Sequence, residues 1–260
     1  MSRLDEVVAD LVAEGDQLDG LVSPLDDAGW RTPTPAAGWD VAHQIAHLAW
    51  TDETAIAAAT DKAAWDAAVL KAIADPDGFV DEAAKQGASS SPAELLDRWR
   101  TARASLVKTL VEHPEGEKIP WYGPPMSATS MATARFMETW AHGRDVADAL
   151  GVDLPRDHRV RHVVHIGVRT RDFAFRNRDL APPDEEFRVS LTLPGGSLLE
   201  FGPVDAAQSV TGSAYDFALL VTQRVHREDT DLEIVGPDAD AWVDIAQAFA
   251  GPSGDGRDPR

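Results

Sequence analysis

The chain has 260 residues, of which 43% are hydrophobic, a length and apolar content that suit one large or two ordinary packed domains. Its formal net charge of -20 excludes DNA and anionic membranes as partners, because both would be repelled before any specific contact formed. There is no cysteine, which removes disulfides, thiolate ligands and a cysteine nucleophile, so any thiol chemistry must use a thiol from outside.

Residues 4–25 carry Leu4, Val7, Val8, Leu11, Leu18, Leu21, Val22 and Leu25, mostly at the three-and-four spacing of an amphipathic helix. After the breaker Arg31-Thr-Pro-Thr-Pro-Ala-Ala-Gly38, a second helix is predicted from about Asp40, its cap, through the alanine-rich segment to Ala59. Ser91-Pro-Ala-Glu94 is a capping box with proline at the first helical position, and Leu95, Leu96, Trp99, Leu106 and Leu110 continue that helix to His113-Pro114. The loop Ile119-Pro-Trp-Tyr-Gly-Pro-Pro125 then leads into a helix ending at Gly151. Four main helices make a bundle.

The pattern changes after Leu154. One helix is expected over 157–178, followed by alternation of Phe187, Val189, Leu191 and Leu193 into a hairpin turn at Pro194-Gly-Gly196, with Leu199 and Phe201 on the return strand. Ser213 is positioned to cap a helix reaching Arg224, Asp231 to Val235 reads as a strand, and Asp238 opens a helix to Phe249. The fold class is therefore mainly α with a smaller α+β part. The boundary is placed between 151 and 180, giving a bundle over 1–155, an α+β domain over 156–250 and a flexible tail over 251–260. No stretch of about 18 uncharged apolar residues is present, and Met1-Ser-Arg-Leu-Asp-Glu6 lacks the features of a signal peptide, which predicts a cytoplasmic chain.

Glu138 and His142 are four residues apart, one turn on one helical face, and His43 and His47 form a second pair at the same spacing. Such a pair is also an ordinary surface arrangement. Here, however, Met131, Ala134, Glu138, His142, Asp145 and Ala149 share a stripe flanked by Phe136, Trp140, Val146 and Leu150, and a charged stripe among large apolar neighbours needs partners. Three nitrogen or oxygen ligands from two packed helices would make an open zinc-type site. Asp145 and Asp52 are candidates to hold a ligating imidazole from behind, Asp145 having the equal alternative of a surface charge near Arg144. His158, His162 and His165 lie among Arg156, Arg159 and Arg161, a basic neighbourhood that disfavours a cation. Trp121 and Tyr122 could roof a pocket, though packing of their loop onto the bundle is the simpler expectation.

Trp39 through Leu48 and Glu138 through Val146 resemble the metal-binding bundle of mycothiol-dependent maleylpyruvate isomerase-like proteins, part of the wider DinB-like group, and more closely an actinobacterial branch known only for metal binding. The resemblance implies a DinB-like four-helix bundle in which His47, Glu138 and His142 ligate a divalent metal, with His43 a neighbour. Leu191-Thr-Leu-Pro-Gly-Gly196, Val210-Thr-Gly-Ser-Ala214 and Ala218 to Arg224 look like the sterol-carrier-like domain often fused to that bundle. The fold carries over with the resemblance and the isomerase activity does not.

Zinc held by two imidazoles and one carboxylate keeps a fourth position, where a thiol such as mycothiol would ionise and attack a small-molecule electrophile. Nickel, iron and manganese suit the same donors. Arg224, just beyond an apolar run, is the candidate catalytic guanidinium for an anionic substrate or for the thiol. Hydrolase, nucleotide-loop and dinucleotide signatures are absent from the sequence. Three readings follow: a zinc-dependent thiol transferase or isomerase, a non-catalytic metal-binding or sensing protein, and a carrier of small apolar ligands or lipids, the last requiring an apolar tunnel between the Leu191 hairpin and the 238–249 helix. Whether the chain forms a homodimer is left open.

Overall fold

The structure is a computed structural model that describes residues 2–254 and 256–260; Asp255, inside the expected tail, lies outside the described residues. The chain divides into two compact units, Met1–Leu154 and Pro155–Arg260. Among the described residues there are ten α-helices and one four-stranded sheet, the mainly α architecture with a smaller α+β part that the sequence predicts.

Four long helices build the first unit: α1 (Arg3–Val22), α2 (Val41–Thr60), α5 (Pro92–Glu112) and α6 (Ala128–Leu150), with two shorter ones, α3 (Lys62–Ala74) and α4 (Phe79–Ala88), between α2 and α5. Their starts are set by side chains that satisfy the free amides of the first turn. Ser91 and Glu94 form the predicted capping box, and Asp40 Oδ1 accepts from the His43 amide at 3.0 Å. At the far end of α6, Gly151 adopts φ 65°, and Val152 N–H returns to Ala147 O at 2.9 Å in a Schellman turn that favours glycine. Leu18, Val22, Trp30, Val41, Ile45, Leu48, Leu95, Trp99 and Val146 form a core shared by all four long helices.

The short helices were not predicted. In α3 only Trp65 is buried while Leu70 and Ile73 face solvent, so no apolar stripe marks it. α4 lies so close to α2 that a Cβ on Gly87 would stand 2.7 Å from the Ala46 Cβ, and a side chain at this position would part the two helices.

In the second unit the helix expected over 157–178 is broken into a 3-10 turn (His158–Val160), α7 (Arg161–Arg169) and α8 (Arg171–Arg176). The break falls at Thr170, whose hydroxyl donates to the Ile166 and Gly167 carbonyls and bends the chain. β1 (Arg188–Thr192) and β2 (Leu198–Phe201) form the predicted hairpin, with Val189 opposite Phe201. β3 (Ser209–Ser213), not anticipated as a strand, pairs parallel with β1 and antiparallel with β4 (Glu233–Val235), giving the order β2-β1-β3-β4. Ser213 caps α9 (Ala214–Val221) as expected, but that helix stops short of Arg224. Gln223 turns into the left-handed region at φ 58°, and Arg224 N–H closes back to Leu219 O at 2.8 Å. α10 (Pro237–Ile245) likewise ends before Phe249, because the chain leaves it extended and Ala248 N–H bonds to Val221 O at 2.8 Å.

A cavity of about 250 Å3 in this unit is lined by Arg178, Gln223, His226, Arg227, Asp244 and Arg257, among others. It lies beside α9 and α10, and its lining is polar. No helix among the described residues is long and apolar enough to cross a membrane.

Candidate metal centre

α2 and α6 bring His47, Glu138 and His142 together across 91 residues of chain, with one ligand atom from each inside a common 4.8 Å sphere of separation. His47 Nε2 stands 3.4 Å and His142 Nε2 3.2 Å from the same oxygen, Glu138 Oε2. For metal-ligand bonds of about 2.0–2.1 Å, the edge of a tetrahedron is about 3.3 Å. Both separations therefore fit donors already arranged around one ion.

The donor chemistry agrees. Thr34 Oγ1 donates to Trp39 O at 3.0 Å, so it must accept from Gln44 Nε2 at 2.8 Å. That turns Gln44 Oε1 toward His142 Nδ1 at 2.5 Å, which places a proton on Nδ1. In the neutral ring the lone pair then lies on Nε2, aimed at a carboxylate oxygen. Two lone-pair-bearing atoms at 3.2 Å repel unless a metal ion, or the second proton of an imidazolium, lies between them. Burial pushes the Glu138 carboxyl up, but the ring nitrogens of His142 and His47, which donate to it wherever they carry a proton in place of a metal, and the charge of Arg135 outweigh it and hold the group well below the usual carboxylate range. Glu138 is thus an anion in the folded protein.

His43 is placed as expected, beside the cluster and not in it: its Nδ1 lies 2.6 Å from Asp40 Oδ1 at the start of α2. Trp39 closes one side, stacked on His142 at 5.9 Å between ring centroids and 5.4 Å from His47, with its Nε1 donating to Asp81 on α4. Asp145 is fully buried on α6, which rules out a surface charge. The residue that meets His142 from behind is Gln44, which the sequence does not single out because a glutamine in a first helical turn carries no distinguishing pattern. His47 Nδ1 is buried with no hydrogen-bond partner, so Asp52 does not brace it. Asp52 is itself buried, and burial pushes its carboxyl up to about 7 against the pull of Arg135.

The Trp121–Tyr122 loop is pinned at its base by paired Ile119 and Met126. Trp121 stacks on Trp65 and covers the Arg135 guanidinium at 5.2 Å, while Tyr122 packs on Trp65 and Phe79. Arg224 belongs to the second unit, where its Nη1 donates to the Thr222 carbonyl.

The mycothiol maleylpyruvate isomerase N-terminal domain family matches residues 11–147. Two proteins of Mycobacterium tuberculosis, "Uncharacterized protein MT0041" from strain CDC 1551 / Oshkosh and "Uncharacterized protein Rv0036c" from strain H37Rv, are each 56% identical over 250 residues, covering 96% of this chain and 97% of the relative. Among solved structures, mycothiol-dependent maleylpyruvate isomerase superposes with a TM-score of 0.59 at 16% identity, over 90% of this chain and 95% of that one. A mutant of that enzyme gives 0.58 at 15% identity, over 88% and 92%. At such identity the structures show a common fold. The family match covers more than half of the chain, including His47, Glu138 and His142, and the protein belongs to the mycothiol-dependent maleylpyruvate isomerase-like family.

Proposed function

We propose that this protein holds a divalent metal ion, zinc in the first instance, through His47, Glu138 and His142. We further propose that it works in the cytoplasm as a thiol-dependent isomerase or transferase, joining mycothiol or a related low-molecular-weight thiol to a small electrophile. The observation that carries this reading is the Thr34–Gln44–His142 relay, which leaves an imidazole lone pair facing an ionised carboxylate. When bound, the ion supplies acidity to a coordinated thiol, so that the thiol is ionised at neutral pH.

The chain's own residues do the rest. Gln44 fixes the ring of His142, Trp39 shields both imidazoles from water on one side, and the two imidazoles with the charge of Arg135 keep Glu138 anionic. The absence of cysteine means that no internal thiolate competes for the open position. Arg224 is proposed to contact an anionic group of the substrate or thiol; Arg224→Ala should leave metal content unchanged and lower thiol-dependent turnover, and normal turnover would remove it from the mechanism.

The test is a titration of the cobalt-loaded protein with mycothiol and with N-acetylcysteine as a simpler thiol. A thiolate-to-cobalt absorption band that saturates is expected. Metal binding without that band would make this a non-catalytic metal-binding protein, and the thiol reading would fall. The lipid-carrier reading gains no support from the polar cavity beside α9 and α10.

A further inference from the structure

A second cavity, of about 330 Å3, lies in the first unit between α1 and α5 and reaches inward to α2 and α6. Among the described residues that line it there is no candidate metal ligand. Its sides are apolar, built from Leu11 and Val12 on α1 and Trp99, Leu106 and Val107 on α5. Gly15 shapes the entrance: a Cβ there would stand 2.6 Å from Arg103 Nη1, so the glycine lets that guanidinium lie across α1. Arg103 then pairs with Asp16 at 2.8 Å and covers one face of Trp99 at 5.1 Å, while Arg100 pairs with Asp19. The cations at the entrance are therefore already matched by carboxylates.

The inner end has a different chemistry. Asp52 on α2 and Thr139 on α6 both line the cavity, and each is only 5% exposed. The Asp52 carboxyl makes no hydrogen bond among the described residues. Thr139 Oγ1 spends its proton on the Arg135 carbonyl at 2.9 Å, so it can only accept a further bond. Buried polar groups are rarely left unsatisfied, and a buried water needs several polar partners of its own. Two acceptors at one end do not supply those partners along apolar sides. Their complement is a molecule with N–H donors at its head and an apolar body. Burial pushes the Asp52 carboxyl up to about 7 against the pull of Arg135 and Arg103, and a cation beside it would offset that cost. The net charge of -20 also favours the approach of a cation over that of an anion.

We propose that this cavity is a binding site for a small primary amine, whose ammonium donates to Asp52 and Thr139 and whose apolar body packs against Leu11, Trp99 and Leu106. The site is additional to the metal centre and does not depend on the thiol reading. At its volume it suits a ligand at the small end of the range that protein pockets hold.

Phenethylamine is the probe and 2-phenylethanol its uncharged counterpart, each titrated by calorimetry into the parent, Asp52→Asn and Val107→Trp. The parent should bind the amine saturably and the alcohol at least about tenfold more weakly. Asp52→Asn should weaken the amine roughly 10- to 100-fold, the range of a charge-assisted hydrogen-bonded pair, and leave the alcohol little changed. Val107→Trp, whose indole would occupy the cavity, should lose both, and it remains the test of location should the asparagine variant not fold. A parent that binds neither molecule would overturn the proposal and leave a water-filled gap between α1 and α5. Alcohol bound as tightly as amine would overturn the assignment of Asp52 as the anchor. Amine binding that survives either substitution would place the amine elsewhere, on a metal or on the acidic surface, and would overturn the proposal as well.

Discussion

Replacing Gln44 with leucine removes the group that meets His142 Nδ1 while keeping nearly the same volume at a fully buried position. The parent side chain accepts from His142 Nδ1 at 2.5 Å and donates to Thr34 Oγ1 at 2.8 Å. Without it the Nδ1–H is buried and unpaired, a cost of about 1–3 kcal/mol that falls on the folded protein whether or not metal is present. The ring is also free to place its proton on Nε2, where it blocks coordination. Loss of such a supporting contact typically weakens metal binding about 10- to 100-fold, or about 1.4–2.7 kcal/mol. Competition with a chromophoric chelator measures zinc affinity, and urea denaturation of the metal-free proteins measures the structural cost separately. Gln44→Glu provides the opposite case: a carboxylate behind the imidazole should hold affinity at or above the parent level. If Gln44→Leu binds zinc within threefold of the parent, the relay does not set the tautomer, and the argument for a cation between His142 and Glu138 fails.

Asp52 offers a pH signature. The unfolded chain releases this proton near 3.8, whereas the folded protein holds it up to about 7, so between these values the folded state binds more protons and loses stability as pH rises. Asp52→Asn should therefore gain on the parent by up to about 1.4 kcal/mol per pH unit across that window. Denaturation of both metal-free proteins at several pH values reads it, and a difference that is flat or of opposite slope would refute it. Gly87→Ala should destabilise the first unit by about 1–3 kcal/mol, because the added methyl meets Ala46 at 2.7 Å and Arg98 Nη1 at 3.0 Å. A thermal melt that rises, as helix propensity alone would predict, would show that α4 can shift on α2.

The helices that carry the candidate ligands were legible because their signals are local. Asp40 and Ser91 announce helix starts, Gly151 announces an end, and Glu138 with His142 needs only helical geometry to share a face. Gln44 was not legible, since its importance lies in a partner far along the chain, His142. α3 escaped notice because it buries a single residue, Trp65. β3 did so because only Val210 is buried in a five-residue strand. The overestimated length of α9 has the same origin: Gln223 turns left-handed where the sequence offers no glycine, and α10 is cut short by a bond from Ala248 to the end of α9.

The most direct test of the account is metal content by mass spectrometry on untagged protein, for the parent and for His47→Ala, Glu138→Ala and His142→Ala. The account predicts near-stoichiometric divalent metal in the parent and its loss in each of the three variants while the fold is retained. A parent that purifies and reconstitutes without metal, or variants that keep it, would contradict the assignment of these residues as its ligands.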